Sequence, residues 1–250
     1  MIDLGLLSAE SITVSFEGKN VIENISLSLN EGETVSLLGV SGTGKTTLFN
    51  ILSGLYAPDE GKVYLDSEDI TGKAGKISYM LQKDLLLPHK RVIDNAALPL
   101  ILKGVNKKEA KLKAERYLKE FGLEGTGDKF PHQLSGGMRQ RVAFVRTYLA
   151  SERAALLDEP FSALDSITKS AIHRWFLSVM AEINLSVLFV THDIDEAILL
   201  SDRVYLLTGK PGKITDEIVI RLPGEKCDRS PMSSEFIAYK EEIIKKIGIL

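Results

Sequence analysis

Read from its 250 residues, the chain is an α/β protein with a mixed central sheet, an antiparallel β lobe and an inserted α-helical lobe. Three stretches carry that reading. Residues 9–38 alternate apolar and polar positions between turns, as antiparallel strands with one buried face do. From Ala154 onward, short apolar strands are separated by helical segments, which requires a parallel sheet covered on both faces. Between an apolar strand, Val35–Leu38, and a helix from about Lys45 lies a glycine-rich turn, a geometry suited to anions.

Each element has its own justification. Ile12, Val14 and Phe16 alternate before Gly18 turns the chain; Ile25, Leu27 and Leu29 alternate before Asn30-Glu31-Gly32 turns it again. The helix after the glycine-rich turn carries Leu48, Ile51, Leu52 and Leu55, and Gly54 and Pro58 mark its end. Short strands are expected near Val63–Leu65 and Ile77–Leu81. Pro88 and Pro99 bracket a stretch expected to be irregular. Residues 107–121 read as an amphipathic helix with Ala110, Ala114, Tyr117, Leu118 and Phe121 on one stripe and a lysine-rich solvated face. A second helix runs from Leu134-Ser135-Gly136-Gly137 to about Ala150. Then come strand Ala154–Leu157, helix 166–183, strand Val187–Val190, helix 194–200 and strand Val204–Leu207. Lys210-Pro211-Gly212-Lys213 turns into a last strand, Ile214–Ile220, and 233–247 form a tail helix that packs through Phe236, Ile237, Ile243, Ile244 and Ile247.

Composition narrows the function classes. Hydrophobic content of 44% and charged content of 26% are ordinary for a globular domain. A net charge of −3 carries no global nucleic-acid signal. The single cysteine, Cys227, forbids an internal disulfide, fits a reducing compartment and reads as an inert loop residue. The first eight residues lack a basic segment and a long apolar run, so no secretory signal is expected. The longest apolar runs, such as 96–102, fall far short of the ~18 residues of a spanning helix.

The chemistry begins in the turn. Gly39, Gly44, Lys45 and Thr46 fill the pattern G-x-x-x-x-G-K-[ST], with Val40, Ser41, Gly42 and Thr43 between them and Thr47 following. Glycines let the backbone approach an anion, and free N–H groups at the helix start point at phosphate oxygens. Lys45 is expected to reach the β and γ phosphates, and the Thr46 hydroxyl to sit on Mg²⁺. Leu156-Leu157-Asp158-Glu159 sets two carboxylates at a strand end, which in a parallel sheet faces the ligand crevice. Asp158 is expected to hold Mg²⁺ through water, and Glu159 to act on the attacking water as general base. Ser135, Gly136 and Gly137 repeat the loop physics at a second helix start, although Ser-Gly-Gly alone also reads as a simple N-cap.

Gly39–Thr47, Gln82, Leu134-Ser135-Gly136-Gly137-Met138, Leu156–Pro160, Ser162-Ala163-Leu164-Asp165 and Thr191-His192-Asp193 occur in that order. From 9 to about 222 the chain resembles an ABC-type ATPase, the nucleotide-binding subunit of an ATP-binding-cassette transporter. The resemblance implies a phosphate-loop NTPase fold of ABC type in one domain over 1–250. Residues 1–85 and 147–225 would form the nucleotide-binding core with its antiparallel lobe, 86–146 the helical lobe and 226–250 a helical tail. It implies that Phe16 stacks on adenine, although by itself Phe16 also reads as a core residue closing a strand. Gln82 would sense Mg²⁺ and the attacking water and link to a membrane partner, His192 would contact the γ-phosphate, and Asp165 would couple two sites across a dimer. Without the resemblance, Gln82 reads as a surface residue and His192 as structural.

The resemblance further implies that Ser135–Gly137 of one subunit close on ATP held by Lys45 of another, in an isologous pair. The expected pair is a homodimer or a pseudo-symmetric ATPase dimer. Two separate transmembrane permease subunits and, through them, an extracytoplasmic solute-binding protein are the expected partners, with no nucleic acid. The expected place is the cytoplasmic face of the inner membrane. Met138 departs from the family's more frequent glutamine, and Val145-Arg146-Thr147 from its Ala-Arg-Ala. The stretch Leu81–Asn95 is similar to the importer subgroup for nitrate, sulfonate, taurine and pyrimidine-type precursors. Its leucines after Gln82 would form a groove for a membrane-subunit helix, or simply a buried loop. A repair or translation ATPase of the same family is the alternative, although neither a long coiled-coil insertion nor a second cassette is present.

Overall fold

The computed structural model describes residues 5–162, 165–224, 226 and 229–248. The alternating N-terminal segments pair as β1 (Leu7–Phe16) and β2 (Lys19–Leu29), antiparallel, with β4 (Glu60–Leu65) on the other side of β1 and β5 (Glu68–Asp69) at the edge. This is the expected antiparallel lobe; the two-residue β5 was too short to leave a pattern in the sequence.

The second sheet is mixed. Its order is β10 (Lys213–Val219), β9 (Arg203–Thr208), β3 (Thr34–Leu38), β8 (Ser186–Thr191), β7 (Ala154–Asp158) and β6 (Ser78–Met80). All neighbours are parallel except β10 on β9. Period-two alternation explains why its strands read as continuous apolar runs. Ala155, Leu157, Val187 and Phe189 face one core, while Ala154, Leu156, Leu188 and Val190 face the other.

The second of those cores lies between the mixed sheet, the antiparallel lobe and α1 (Lys45–Leu52). The first joins α5 (Ser166–Glu182) to the helical lobe, which comprises α2 (Val92–Leu102), α3 (Lys107–Glu120) and α4 (Gly136–Ala150). Of the expected stripe, Ala110, Ala114 and Leu118 are buried on α3, Phe121 is buried just past its end and Tyr117 is partly buried, while Leu112 stays exposed. A third core packs α6 (Ile194–Leu200) and α7 (Ser234–Ile247) against β3, β9 and β10; of the tail helix it takes Phe236, Ile243 and Ile247, while Ile237 stays exposed.

Two expectations are corrected. α1 ends at Leu52, so Leu55, past the left-handed Gly54, is off the helix and exposed. The stretch between Pro88 and Pro99 is not irregular throughout: α2 runs through Pro99. Proline forfeits a helix hydrogen bond and crowds the carbonyl four residues back. Here burial of Val92, Ile93, Ala96, Ala97 and Leu100 outweighs that loss. Asn95, that fourth residue back, is fully buried and ties the helix start to the preceding loop. Its amide donates to the carbonyls of Leu87, Lys90 and Arg91 at 3.1–3.2 Å, and its carbonyl accepts from Leu87 N at 2.7 Å.

Candidate nucleotide site

The strand order gathers the predicted residues. β3, β8, β7 and β6 lie side by side and parallel, so their C-terminal ends share one rim. β3 runs into the phosphate loop, β8 into His192, β7 into Asp158 and Glu159, and β6 into Gln82 two residues past its end. Segments far apart in sequence meet because hydrogen-bond register fixes them there: Leu38 pairs with Thr191, Val190 with Asp158, and Leu157 with Met80.

Two glycines of the loop, Gly39 and Gly44, are required by packing. A Cβ on Gly39 would lie 2.5 Å from the Leu207 carbonyl oxygen, and one on Gly44 2.5 Å from Ile22 Cγ2. Gly44 also holds φ +93°, a left-handed conformation that glycine adopts without strain. No side chain caps α1, so its first N–H groups remain open donors. Lys45 is 6% exposed, and its ammonium donates to the carbonyls of Gly39 at 2.9 Å and Val40 at 3.0 Å. Burial lowers its pKa, against the opposing pull of Glu159 and Asp158.

Thr46 and Asp158 meet as expected: the threonine hydroxyl donates to Asp158 Oδ2 at 3.3 Å. A third group, which no sequence pattern announced, is Tyr79 on β6, whose hydroxyl donates to the same oxygen at 3.4 Å. Burial, assisted by the neighbouring Glu159, raises the Asp158 pKa. Burial and the Asp158 charge likewise raise that of Tyr79.

Glu159 is the hub. It has φ +45°, which re-aims its side chain away from the strand direction. Its Oε2 accepts from the Gln82 amide at 3.2 Å and stands 3.3 Å from His192 Nδ1. Gln82 is therefore on Glu159 and on Ser162, whose hydroxyl oxygen accepts at 3.3 Å, with no hydrogen bond to Asp158 among the described residues. Two openings meet at Glu159. One, of about 340 Å³, is lined by Ser41, Gly42, Gly44, Lys45, Thr46 and Thr47. The other, of about 780 Å³, is lined by Gln82, His192, Gly136, Arg139, Leu85 and Leu86.

The remaining predicted residues lie around these openings. Phe16 closes β1 with half its surface exposed, so it is not a core residue. Ser135 caps α4, accepting from Met138 N at 3.3 Å, so the N-cap reading holds. None of Ser135, Gly136 and Gly137 lines the phosphate-loop opening of its own chain. Asp165 caps α5, accepting from Thr168 N at 3.1 Å. Ala163 and Leu164 before it, like Cys227, lie outside the described residues. Of the leucines after Gln82, Leu86 is buried, as a buried loop requires, while Leu87 is half-buried and Leu85 exposed. The loop is tied to α4 by Arg139 Nε, 3.1 Å from Asp84 Oδ2, and by Arg146, which donates to the Asp84 and Leu85 carbonyls at 2.6 and 2.8 Å.

A phosphate loop on a central parallel strand, with paired carboxylates at the end of the strand two places away in the same sheet, defines the phosphate-loop nucleotide-binding class. The chain belongs to the ABC transporter family, whose pattern matches residues 22–162. It is 45% identical over 207 residues to the formylaminopyrimidine import ATP-binding protein ThiZ of Halalkalibacterium halodurans, covering 82% of this chain and 81% of that protein. It is 34% identical over 247 residues to the taurine import ATP-binding protein TauB of Yersinia pestis, covering 97% of each. Among solved structures it matches the dimeric, post-hydrolysis ATP-binding cassette MJ0796 bound to ADP and Pi, with TM-score 0.72, 32% identity, 86% of this chain and 99% of that one.

Proposed function

We propose that this chain is the ATP-binding and ATP-hydrolysing subunit of an ABC importer, energising solute uptake through separate membrane subunits. The observation that carries the reading is Glu159: it stands where the phosphate-loop opening meets the cleft holding Gln82 and His192. Both named relatives are import proteins, which favours transport over a repair or translation role.

ATP would lie with its phosphates on the open N–H groups of α1 and its adenine on Phe16. Lys45 would exchange its two loop carbonyls for phosphate oxygens, a charge-assisted gain over neutral acceptors. Thr46 and Asp158 fit a hard divalent cation: both offer oxygen, and among the described residues the buried Asp158 carboxylate is hydrogen-bonded by two hydroxyls, those of Thr46 and Tyr79. Bound there, Mg²⁺ would neutralise charge on the β and γ phosphates. Glu159 would take a proton from the attacking water, with Gln82 and His192 holding the carboxylate in line. Stabilisation of the transferring phosphoryl group would be mostly electrostatic.

The helix start at Ser135 lies outside the chain's own phosphate opening and still offers donors, as a site shared between two copies would need. MJ0796 is dimeric with ADP and Pi. On this reading a homodimer, or a pair with a similar ATPase, closes on ATP and opens after hydrolysis. The core (1–85 with 147–225), the helical lobe (86–146) and the tail (226–250) then act as parts of one domain. No described helix is long and apolar enough to cross a membrane. On the importer reading the chain sits peripherally, at the cytoplasmic face, on two permease subunits served by a solute-binding protein. The substrate class most in keeping with the relatives is small nitrogen- or sulfur-containing solutes.

The test is Glu159→Gln. It should retain ATP binding, lose about 10²–10⁴ in turnover and dimerise with ATP in size-exclusion chromatography. A monomeric variant with normal turnover would overturn the assignment.

A further inference from the structure

Behind Thr191-His192-Asp193 lies a buried polar cluster that the chemistry above does not use. Glu196, in the first turn of α6, is 4% exposed, and His173 on α5 is 8% exposed. Thr191 Oγ1 donates to Glu196 Oε2 at 2.6 Å and accepts from Asp193 N at 3.0 Å. Lys169 Nζ, also on α5, stands 2.7 Å from Glu196 Oε1 and donates to Asp193 Oδ2 at 3.3 Å. His173 Nε2 is 3.5 Å from Glu196 Oε1. The His173 ring meets Phe161, two residues after Glu159, edge-on with centroids 4.8 Å apart.

A carboxylate this buried persists in ionised form only when paired and hydrogen-bonded. Burial would push the Glu196 pKa up, but the His173, Lys169 and Thr191 donors hold it at about 2. Two segments thus converge on one charge, the helix that Asp165 caps and the segment bearing His192, and the segment leaving Glu159 packs on them through the His173 ring. The link to Asp165 is short, because Lys169 N donates to the Asp165 carbonyl at 2.8 Å in the first turn of α5.

We propose that Lys169 is a positioning residue. Its ammonium, shared between Asp193 and Glu196, locks the segment bearing His192 to the helix that Asp165 starts, so that the two keep one geometry. The inference rests on the ATPase reading. Lys169 lines neither opening, so it acts on turnover through His192 and leaves nucleotide affinity alone.

The experiment compares Lys169→Met and Lys169→Arg in the full chain by steady-state ATP hydrolysis, ATP binding and thermal melting. Lys169→Met is expected to lower kcat about tenfold with KM and ATP affinity within about twofold. Lys169→Arg should stay within about threefold of wild type, since a guanidinium can bridge the same two carboxylates. A folded Lys169→Met with wild-type kcat, an Arg variant as impaired as Met, or a loss of ATP affinity matching the loss of kcat would each overturn the proposal. Should Lys169→Met fail to fold, Asp193→Asn breaks the tie to the segment bearing His192 while leaving Glu196 paired. Its kcat should fall about threefold at unchanged KM, and an unchanged kcat would overturn the proposal equally. Wild-type protein that hydrolyses no ATP would instead overturn the ATPase reading itself, independently of Lys169.

Discussion

Two helices of this protein begin at small residues beside open clefts, and they begin differently. α1 follows a left-handed Gly44 with no side-chain cap, and around its start stand Lys45, Thr46, Asp158 and Glu159. α4 follows Ser135, whose hydroxyl already accepts from Met138 N. The nearest cation there, Arg139, is bound to the Asp84 carboxylate and the Leu134 carbonyl. Both ends present backbone donors and a favourable dipole. Only the first also presents a cation and carboxylates that can hold a metal–triphosphate complex on its own. The second can complete a site but cannot found one.

The largest test of that contrast is Lys45→Ala. Removing the buried ammonium at the start of α1 should weaken ATP binding and cut turnover by about 10²–10³, measured by equilibrium nucleotide binding and phosphate release. A variant that still binds ATP normally would put the founding charge elsewhere. Next is Ser135→Arg, which crowds the start of α4. ATP binding should stay within about twofold while turnover falls about tenfold or more. Loss of binding by the isolated chain would mean that α4 helps to found the site, and the contrast would fail.

The smallest effect concerns the buried carboxylate that faces α1. Asp158 is buried beside Glu159 with a raised pKa, so the folded state takes up its proton more readily than the unfolded state. The ionised carboxylate therefore opposes folding at neutral pH, and the opposition fades as pH falls through the folded pKa. Asp158→Asn should raise nucleotide-free stability by about 1 kcal/mol at neutral pH, and the gain should shrink in acid. Thermal melts of both proteins across that range check it; a gain that grew in acid would contradict the assigned cause.

Much of this was legible in the residues. The phosphate loop, the Asp158–Glu159 pair and the amphipathic stripe of α3 are local patterns, because helix and strand periodicity and the turn chemistry of glycine act within a few residues. The helix through Pro99 was not legible: local propensity forbids it, and burial against α3 and α4 overrides the propensity. Tyr79 was not legible either. A tyrosine in a three-residue strand carries no signal until pairing of β6 with β7 brings its hydroxyl to Asp158.

Sequence order alone therefore specified which groups the site would need and on which kinds of element they would ride, since those choices are governed by short-range sterics and hydrogen bonding. Which of those groups touch was decided by the sheet. The parallel order β3, β8, β7, β6 carries Gln82 and His192 onto Glu159, gathers Lys169 and His173 around Glu196, and keeps Ser135 off its own chain's phosphate opening. Such contacts depend on register between strands distant in the chain, and no local pattern encodes a register.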